Sequence, residues 1–310
     1  MDYRELKIRL PREALEEATW KLAEMGITST QIVDNAIVDE MMAEKQAYAW
    51  DYIEPALVQA DRTQDPQICV YVEESEEGLA LMAQVKRAFA GHAMEMEIVR
   101  EQDWVDSYKR QFKVQPLTSQ IVVRPSWEPE EKVRAAFGSD KKIIVLDPGM
   151  AFGTGSHETT ALCAALLEEL GCSGRRILDI GTGSGILAMA AAAEGAERVL
   201  GIDIDPTACQ VAEENIRING MQDRVEICEG DLVQGVDWTA DIVVANLMAD
   251  LICMLSAHVP AHLCPGGIFI SSGMLIEKKQ DVLDAVRKAG MEIMEIKEKG
   301  EWCAIAAKYA

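Results

Sequence analysis

Basic residues are scarce in this chain. Lys and Arg number 30 against 52 Asp and Glu, a formal net charge of −22. Phosphate contacts need clustered Lys and Arg, so this balance argues against an extensive nucleic-acid-binding face, though not against a local basic patch. It favours a basic or cationic partner, or simply solubility. Long hydrophobic runs are missing as well. The longest apolar stretch, Ile186 to Ala193, is far short of a membrane span. No apolar segment follows the mixed charges of Met1-Asp2-Tyr3-Arg4-Glu5, so no signal peptide is expected. None of the 8 cysteines pairs at CxxC spacing. In a chain this long they read as reduced, mostly buried thiols of a cytoplasmic protein. His258, His262 and Cys264 are the one grouping that suggests a metal, and Pro260 between the histidines spoils the shared helical face. No metal is expected, and these residues read as a polar helix end.

The chain has 310 residues, enough for two domains. In the first hundred, strand and helix signals alternate. Leu6, Ile8 and Leu10 alternate as a strand face, and Leu15, Ala18, Leu22 and Met25 repeat at helical spacing until Gly26. Further strands are expected at Gln31–Val33, Ile68–Val72 and Met94–Val99. A helix over Glu74–Ala90 would bury Leu79, Met82, Val85 and Phe89. Residues 40–60 read as an insertion. The order β-α-β-β-α-β resembles a small ferredoxin-like α+β domain over 1–100. Residues 101–142, with three prolines and the aromatics Trp104, Tyr108, Phe112 and Trp127, read as a connector. From Ile143 to the end, short apolar strands alternate with helices, the pattern of a parallel sheet covered on both faces. Strand signals fall at Ile143–Leu146, Arg176–Ile180, Val199–Ile204, Val225–Cys228, Ile242–Ala245, Gly267–Ser271, Met291–Ile296 and Cys303–Ala307. Only Lys297–Trp302 joins the last two, so they form an antiparallel hairpin at a sheet edge. The fold class is α/β, with a Rossmann-like seven-stranded sheet.

The sharpest local signal is Leu178-Asp179-Ile180-Gly181-Thr182-Gly183-Ser184-Gly185-Ile186-Leu187, between an apolar strand and an Ala-rich helix. Glycine lets backbone turn tightly and approach a ligand with no Cβ in the way. The dinucleotide fingerprint GxGxxG would need a glycine at Ile186; the spacing here is instead (D/E)xGxGxG. That pattern resembles the first motif of S-adenosylmethionine-dependent methyltransferases with a Rossmann-like sheet. The next strand ends Gly201-Ile202-Asp203-Ile204-Asp205-Pro206, and Asp203 stands 22 residues past Gly181, where a carboxylate accepts from both ribose hydroxyls. Asp205 before Pro206 reads as a helix N-cap. After the third strand comes Gly230-Asp231-Leu232; Asp231 is either an adenine-edge carboxylate or a turn carboxylate. An NAD-dependent oxidoreductase shares the glycine loop and the ribose acid, but usually not the terminal hairpin.

A second glycine-rich segment lies upstream, Asp147-Pro148-Gly149-Met150-Ala151-Phe152-Gly153-Thr154-Gly155-Ser156-His157-Glu158-Thr159-Thr160. It lacks the Gly-Lys-Ser/Thr ending of a triphosphate-binding loop. With LDIGTGSGIL, GIDIDP and Asn246-Leu247-Met248-Ala249-Asp250, this segment resembles the bacterial methyltransferases that modify the eleventh protein of the large ribosomal subunit, the PrmA family. Asp103-Trp104 and Pro125-Ser126-Trp127 resemble that family's connector.

The resemblance implies a two-domain enzyme. A small N-terminal domain recognises the ribosomal protein, and a domain over 143–310 binds S-adenosylmethionine. Methyl groups go to the substrate's α-amine and to lysine ε-amines. By motif, the cofactor contacts fall on Phe152, Thr159 with its neighbour Thr160, the loop glycines Gly181 and Gly183, Asp203, Asp231 and Asn246. Asn246, beside the reacting sulfonium, is the catalytic candidate; its plainer reading is a strand-end cap. The family often has THPTT where this chain has Ser156-His157-Glu158-Thr159-Thr160, a benign change in a helix's first turn. The Pro-Pro-aromatic that follows Asn in many amine methyltransferases is absent at Leu247-Met248-Ala249. A monomer with no direct nucleic-acid or membrane contact is expected. The alternatives are the same fold acting on another protein, on RNA or on a small amine, and a scaffold that binds the nucleoside without turnover. Residues 1–125, with 14 basic and 23 acidic side chains, carry no basic excess that would suit RNA.

Overall fold

A computed structural model describes residues 2–27, 30–34, 66–100, 112–147, 155 and 157–309. The chain divides into two compact units, Met1–Gln111 and Phe112–Ala310. The inserted stretch at 40–60, the motif at Asp103-Trp104, Tyr108 and Phe152 lie outside the described residues.

The first unit contains β1 (Asp2–Arg9), α1 (Leu15–Glu24), β2 (Thr30–Val33), β3 (Gln67–Glu73), α2 (Glu76–Ala88) and β4 (Ala93–Arg100). The strands form one antiparallel sheet in the order β2-β3-β1-β4. Alternation puts Leu6, Ile8, Ile68, Val70 and Val72 on one face, where they pack with Ala18, Leu22, Met82, Val85 and Phe89 of the helical segments. Leu79, expected in that core, is 41% exposed. It stands in the first turn of α2, where Ser75 caps the helix through the Gly78 N–H.

The second unit begins with β5 (Gln115–Pro116), β6 (Ile121–Arg124), α3 (Glu130–Phe137) and β7 (Lys142–Val145). Here the structure corrects an expectation. β7, which covers most of Ile143–Leu146, does not join the large sheet; it pairs in parallel with β6 in a separate three-stranded sheet. The short apolar run Ile121-Val122-Val123 between prolines masked a βαβ unit inside the stretch read as a connector.

After it come α4 (Glu158–Leu170), β8 (Arg176–Ile180), α5 (Ile186–Ala193), β9 (Arg198–Asp203), α6 (Pro206–Ile218), β10 (Val225–Glu229), β11 (Ala240–Asn246), α7 (Ala249–Ser256), β12 (Leu263–Leu275), α8 (Lys279–Lys288), β13 (Met291–Lys299) and β14 (Trp302–Tyr309). The seven strands order as β10-β9-β8-β11-β12-β14-β13. All run parallel except β14, which is antiparallel to both β12 and β13. Ile177, Leu178 and Ile180 of β8 and Ile242, Val243 and Val244 of β11 are fully buried, because helices cover both faces. The helix expected over Ala249–His262 stops at Ser256, and Pro260 lies in a separate 3-10 turn.

From β8 the chain moves outward through β9 to β10, then returns to the other side of β8 with β11. The strand order therefore reverses between β8 and β11. In open α/β sheets, ligands bind in the crevice at the carboxyl ends of the strands at such a reversal.

Candidate functional site

The loop after β8 occupies that crevice. Gly181 has φ +72°, a conformation that glycine adopts without strain. A Cβ there would meet the Leu247 side chain at 2.5 Å. The Gly181 and Thr182 N–H groups donate to the Ile202 carbonyl at 2.8 and 2.9 Å, which fastens the loop to the end of β9.

Asp203 closes the same corner. Its Oδ2 accepts from the Gly183 N–H at 2.8 Å, and its Oδ1 accepts from the Asp205 N–H at 3.0 Å. Asp205 caps α6 through the Thr207 N–H at 2.8 Å, and Pro206 follows in the first turn. On the next strand, the Gly230 N–H donates to the Asp203 carbonyl at 2.8 Å. Asp231 accepts from Gln234 Nε2 at 2.5 Å. Leu232 takes φ +52°, rare for a residue other than glycine.

The far wall comes from β11 and α4. Asn246 ends β11 and donates from Nδ2 to Thr160 Oγ1 at 3.4 Å. The two threonines, which sequence left equivalent, are separated by their helix position. Thr159 Oγ1 lies 2.7 Å from His157 Nδ1 at the N-cap of α4, while Thr160 faces the cleft. The His157 ring packs edge-on against Trp302 of β14 at 4.8 Å. Burial lowers the His157 pKa, and the Glu158 carboxylate opposes that shift.

These side chains enclose a cleft of about 280 Å³. It brings together Thr160, Gly181, Gly183, Asp203, Asp231 and Asn246. Thr159 is 2% exposed and is not on this wall. Sequence reasoning missed the apolar lining, in particular Ile204, Leu232 and Leu247. Ile204 and Leu232 each directly follow a singled-out aspartate, which was the available signal. Among the described residues, no three His, Cys, Asp or Glu side chains converge as a metal site.

Asp179 lies beneath the loop and is fully buried. Its Oδ2 accepts from Thr182 Oγ1 at 2.7 Å and from the Ala188 N–H at 3.1 Å, which ties strand, loop and helix together. Its Oδ1 has no hydrogen-bond partner among the described residues. Desolvation pushes its pKa up to about 7, against the lowering effect of those two donors.

An acid at the end of the second strand, a glycine loop at the strand reversal and an antiparallel last strand define the class. This is the Rossmann-like fold of S-adenosylmethionine-dependent methyltransferases, and the cleft fits that cofactor: a carboxylate for the ribose, glycine backbone with no Cβ in the way, and apolar side chains for a base. The family model of ribosomal protein L11 methyltransferase (PrmA) matches residues 2–310. The chain belongs to that family. It is 38% identical over 320 residues to the ribosomal protein L11 methyltransferase of Alkaliphilus oremlandii, covering 99% of each chain. It is 38% identical over 317 residues to that of Caldicellulosiruptor bescii, again over 99% of each. Among solved structures, it resembles the ribosomal protein L11 methylase of Lactobacillus delbrueckii subsp. bulgaricus at 33% identity and TM-score 0.59, over 64% of this chain and 100% of that one.

Proposed function

We propose that this protein transfers methyl groups from S-adenosylmethionine to the α-amine and lysine ε-amines of ribosomal protein L11. The observation that carries this reading is the family match along the whole chain, joined to a cleft lined by Asp203, Asn246 and the glycine loop. The bound cofactor supplies an electrophilic sulfonium methyl. Asp203 would accept from the ribose hydroxyls, with the Gly181 and Gly183 backbone beside it. Asp231 would accept from the adenine, and Ile204 and Leu232 would give the base an apolar wall. Thr160 would add a polar contact from α4, and Thr159 would act through the helix cap; Phe152 is a candidate contact by the family resemblance alone.

The attacking amine must be neutral. A free α-amine has a pKa near 8 and a lysine near 10.4, so exclusion of water helps lysine most. The N–CH3 bond would form as the S–CH3 bond breaks, so positive charge would pass from sulfur to nitrogen, the cofactor would leave as a neutral thioether, and the ammonium product would lose its proton to water. The Asn246 amide oxygen accepts from the amine and stabilises that charge, since Nδ2 is directed to Thr160. Alignment is the main contribution of the protein.

The first unit, with its βαββαβ order, is a ferredoxin-like domain that recognises the substrate. The enzyme works as a cytoplasmic monomer without direct nucleic-acid contact. Among the described residues, no helix is long and apolar enough to cross a membrane. A ribosomal protein that holds RNA needs a basic surface, so a chain of net charge −22 would attract the free protein and be repelled by assembled subunits. Incubation with labelled cofactor, purified ribosomal proteins and whole subunits at several salt concentrations tests all of this. Label is expected on free L11, in amounts that fall with salt. Label on RNA alone, or on no protein, would overturn the reading.

A further inference from the structure

The glycine loop turns on the peptide between Ser184 and Gly185, and both edges of that peptide are held. The Gly185 N–H donates to the Thr182 carbonyl at 2.9 Å. The Ser184 carbonyl accepts from Asn215 Nδ2 at 2.9 Å. A peptide unit is planar, so two bonds on opposite edges fix its orientation. Asn215 and Ser184 are both buried, and the bond between them is stronger for being shielded from water.

Asn215 lies on α6, whose other buried residues, Ala208, Cys209, Ala212 and Ile216, are apolar. Burying an amide among them is unfavourable unless it finds a partner, and the partner it finds is the glycine loop. Ala212, three residues earlier on the same face, meets that loop as well: a Cβ on Gly185 would lie 3.3 Å from the Ala212 methyl. The start of α6 is tied to the cleft too. Asp205 caps the helix, and Asp203, two residues before, takes the Gly183 N–H. The loop is thus braced from both sides of the α6 N-terminus, by Asp203 ahead of the helix and by Asn215 within it.

Gly183 and Ile186 stand directly outside the Ser184–Gly185 peptide, and both line the cleft. We infer that Asn215 is a positioning residue for the cofactor: it sets the Ser184–Gly185 peptide, and through it the backbone of Gly183 and Ile186 in the cleft wall. Asn215 does not itself line the cleft. The inference rests on the reading of the cleft as the S-adenosylmethionine site.

Two variants test it. Asn215→Ala removes the donor. Asn215→Asp keeps the size but turns a carboxylate oxygen toward the Ser184 carbonyl, and protonation of that carboxyl restores a donor. Calorimetric titration with S-adenosylmethionine should show Kd about tenfold higher for Asn215→Ala than for the unsubstituted protein, the scale of one well-placed hydrogen bond to ordered backbone. For Asn215→Asp the ratio of its Kd to the unsubstituted value should be as large at pH 8 and shrink toward one at pH 5.5. The ratio for Asn215→Ala should stay constant. Ratios taken at each pH remove the titrations that the proteins share. A role in folding alone would lower the melting temperature and leave both ratios within twofold at either pH, and that result would overturn the inference. If the Ala variant fails to fold, the pH response of the Asp variant decides the matter alone. Failure of the unsubstituted protein to bind the cofactor would instead overturn the reading of the cleft, and this inference with it.

Discussion

Asp203 accepts the Gly183 N–H at 2.8 Å, so the carboxylate that ends β9 also holds the glycine loop that lies beside it. The two features that identified the cofactor in the sequence are one hydrogen-bonded unit. The second carboxylate oxygen is engaged as well, by the Asp205 N–H. The side chain is therefore fixed before any ligand arrives, which reduces the entropy lost on binding.

Replacement of Asp203 by alanine removes the proposed ribose acceptor and the carboxylate that holds the Gly183 N–H. Hydrogen bonds to charged groups contribute about 1.5–3 kcal/mol. Calorimetry should therefore show cofactor affinity reduced roughly 10- to 100-fold. Asp203→Asn keeps one acceptor oxygen and should fall between the two. Unchanged affinity in the alanine variant would remove Asp203 from the site.

Asn246 should separate binding from chemistry. Its Nδ2 donates to Thr160 Oγ1 at 3.4 Å, and in the proposed reaction the amide oxygen is the atom that would meet the amine. In Asn246→Ala, kcat for L11 should fall about 100-fold, typical for loss of one preorganised polar group at a reacting centre. The Kd for S-adenosylmethionine should change far less. Loss of cofactor binding in proportion to kcat would make Asn246 a binding residue only. Single-turnover methylation beside calorimetry distinguishes the two outcomes.

Leu247 is held between two glycines, and this explains how the chain does without the Pro-Pro-aromatic that often follows such an asparagine. Gly273 has φ +92°, and a Cβ there would collide with the backbone of Leu247. Gly181 makes room for its side chain from the other side. The Leu247 N–H donates to the Ser272 carbonyl at 2.9 Å, extending the β11–β12 ladder by one residue. Gly273→Ala forces either an unfavourable backbone or a shifted Leu247, at a cost of about 2 kcal/mol or more. Urea denaturation should show that loss, and kcat should fall because Asn246 moves with its neighbour. Gly290→Ala is the control for positive φ alone: φ is +83° there, and a Cβ would meet nothing.

Six residues of the cleft were legible in the sequence because they sit in short contiguous motifs. The glycine loop and Asp203 carry their spacing with them. Thr159 and Thr160 could not be told apart by motif. The cap at His157 decides between them, since one residue on a helix turns a side chain by about 100°. The bond from Asn215 to Ser184, 31 positions apart, leaves no local trace. The partner of β7 was missed for a related reason: Ile121-Val122-Val123 is too short and too closely flanked by proline to declare itself a strand. Burial of Asp179 was invisible too, because the glycine motif admits an acid there whatever its surroundings.

That buried acid gives a pH dependence with a definite sign. Folding raises the Asp179 pKa from the ordinary 3.8 to about 7, chiefly by desolvation. The folded state then binds this proton more tightly than the unfolded state does. Stability from this group is fully present below about pH 4, is lost as pH rises to about 7, and stays constant above. The whole span corresponds to about 4 kcal/mol. Asp179→Asn keeps an acceptor for Thr182 and Ala188 and cannot ionise. Other carboxyls titrate alike in both proteins, so the difference between them isolates Asp179. Urea denaturation at pH 5 and pH 8 should show the unsubstituted protein losing about 3 kcal/mol more than Asp179→Asn over that interval. Equal losses in the two proteins would mean that Asp179 is already ionised at pH 5, held by the Thr182 hydroxyl and the Ala188 N–H despite its burial.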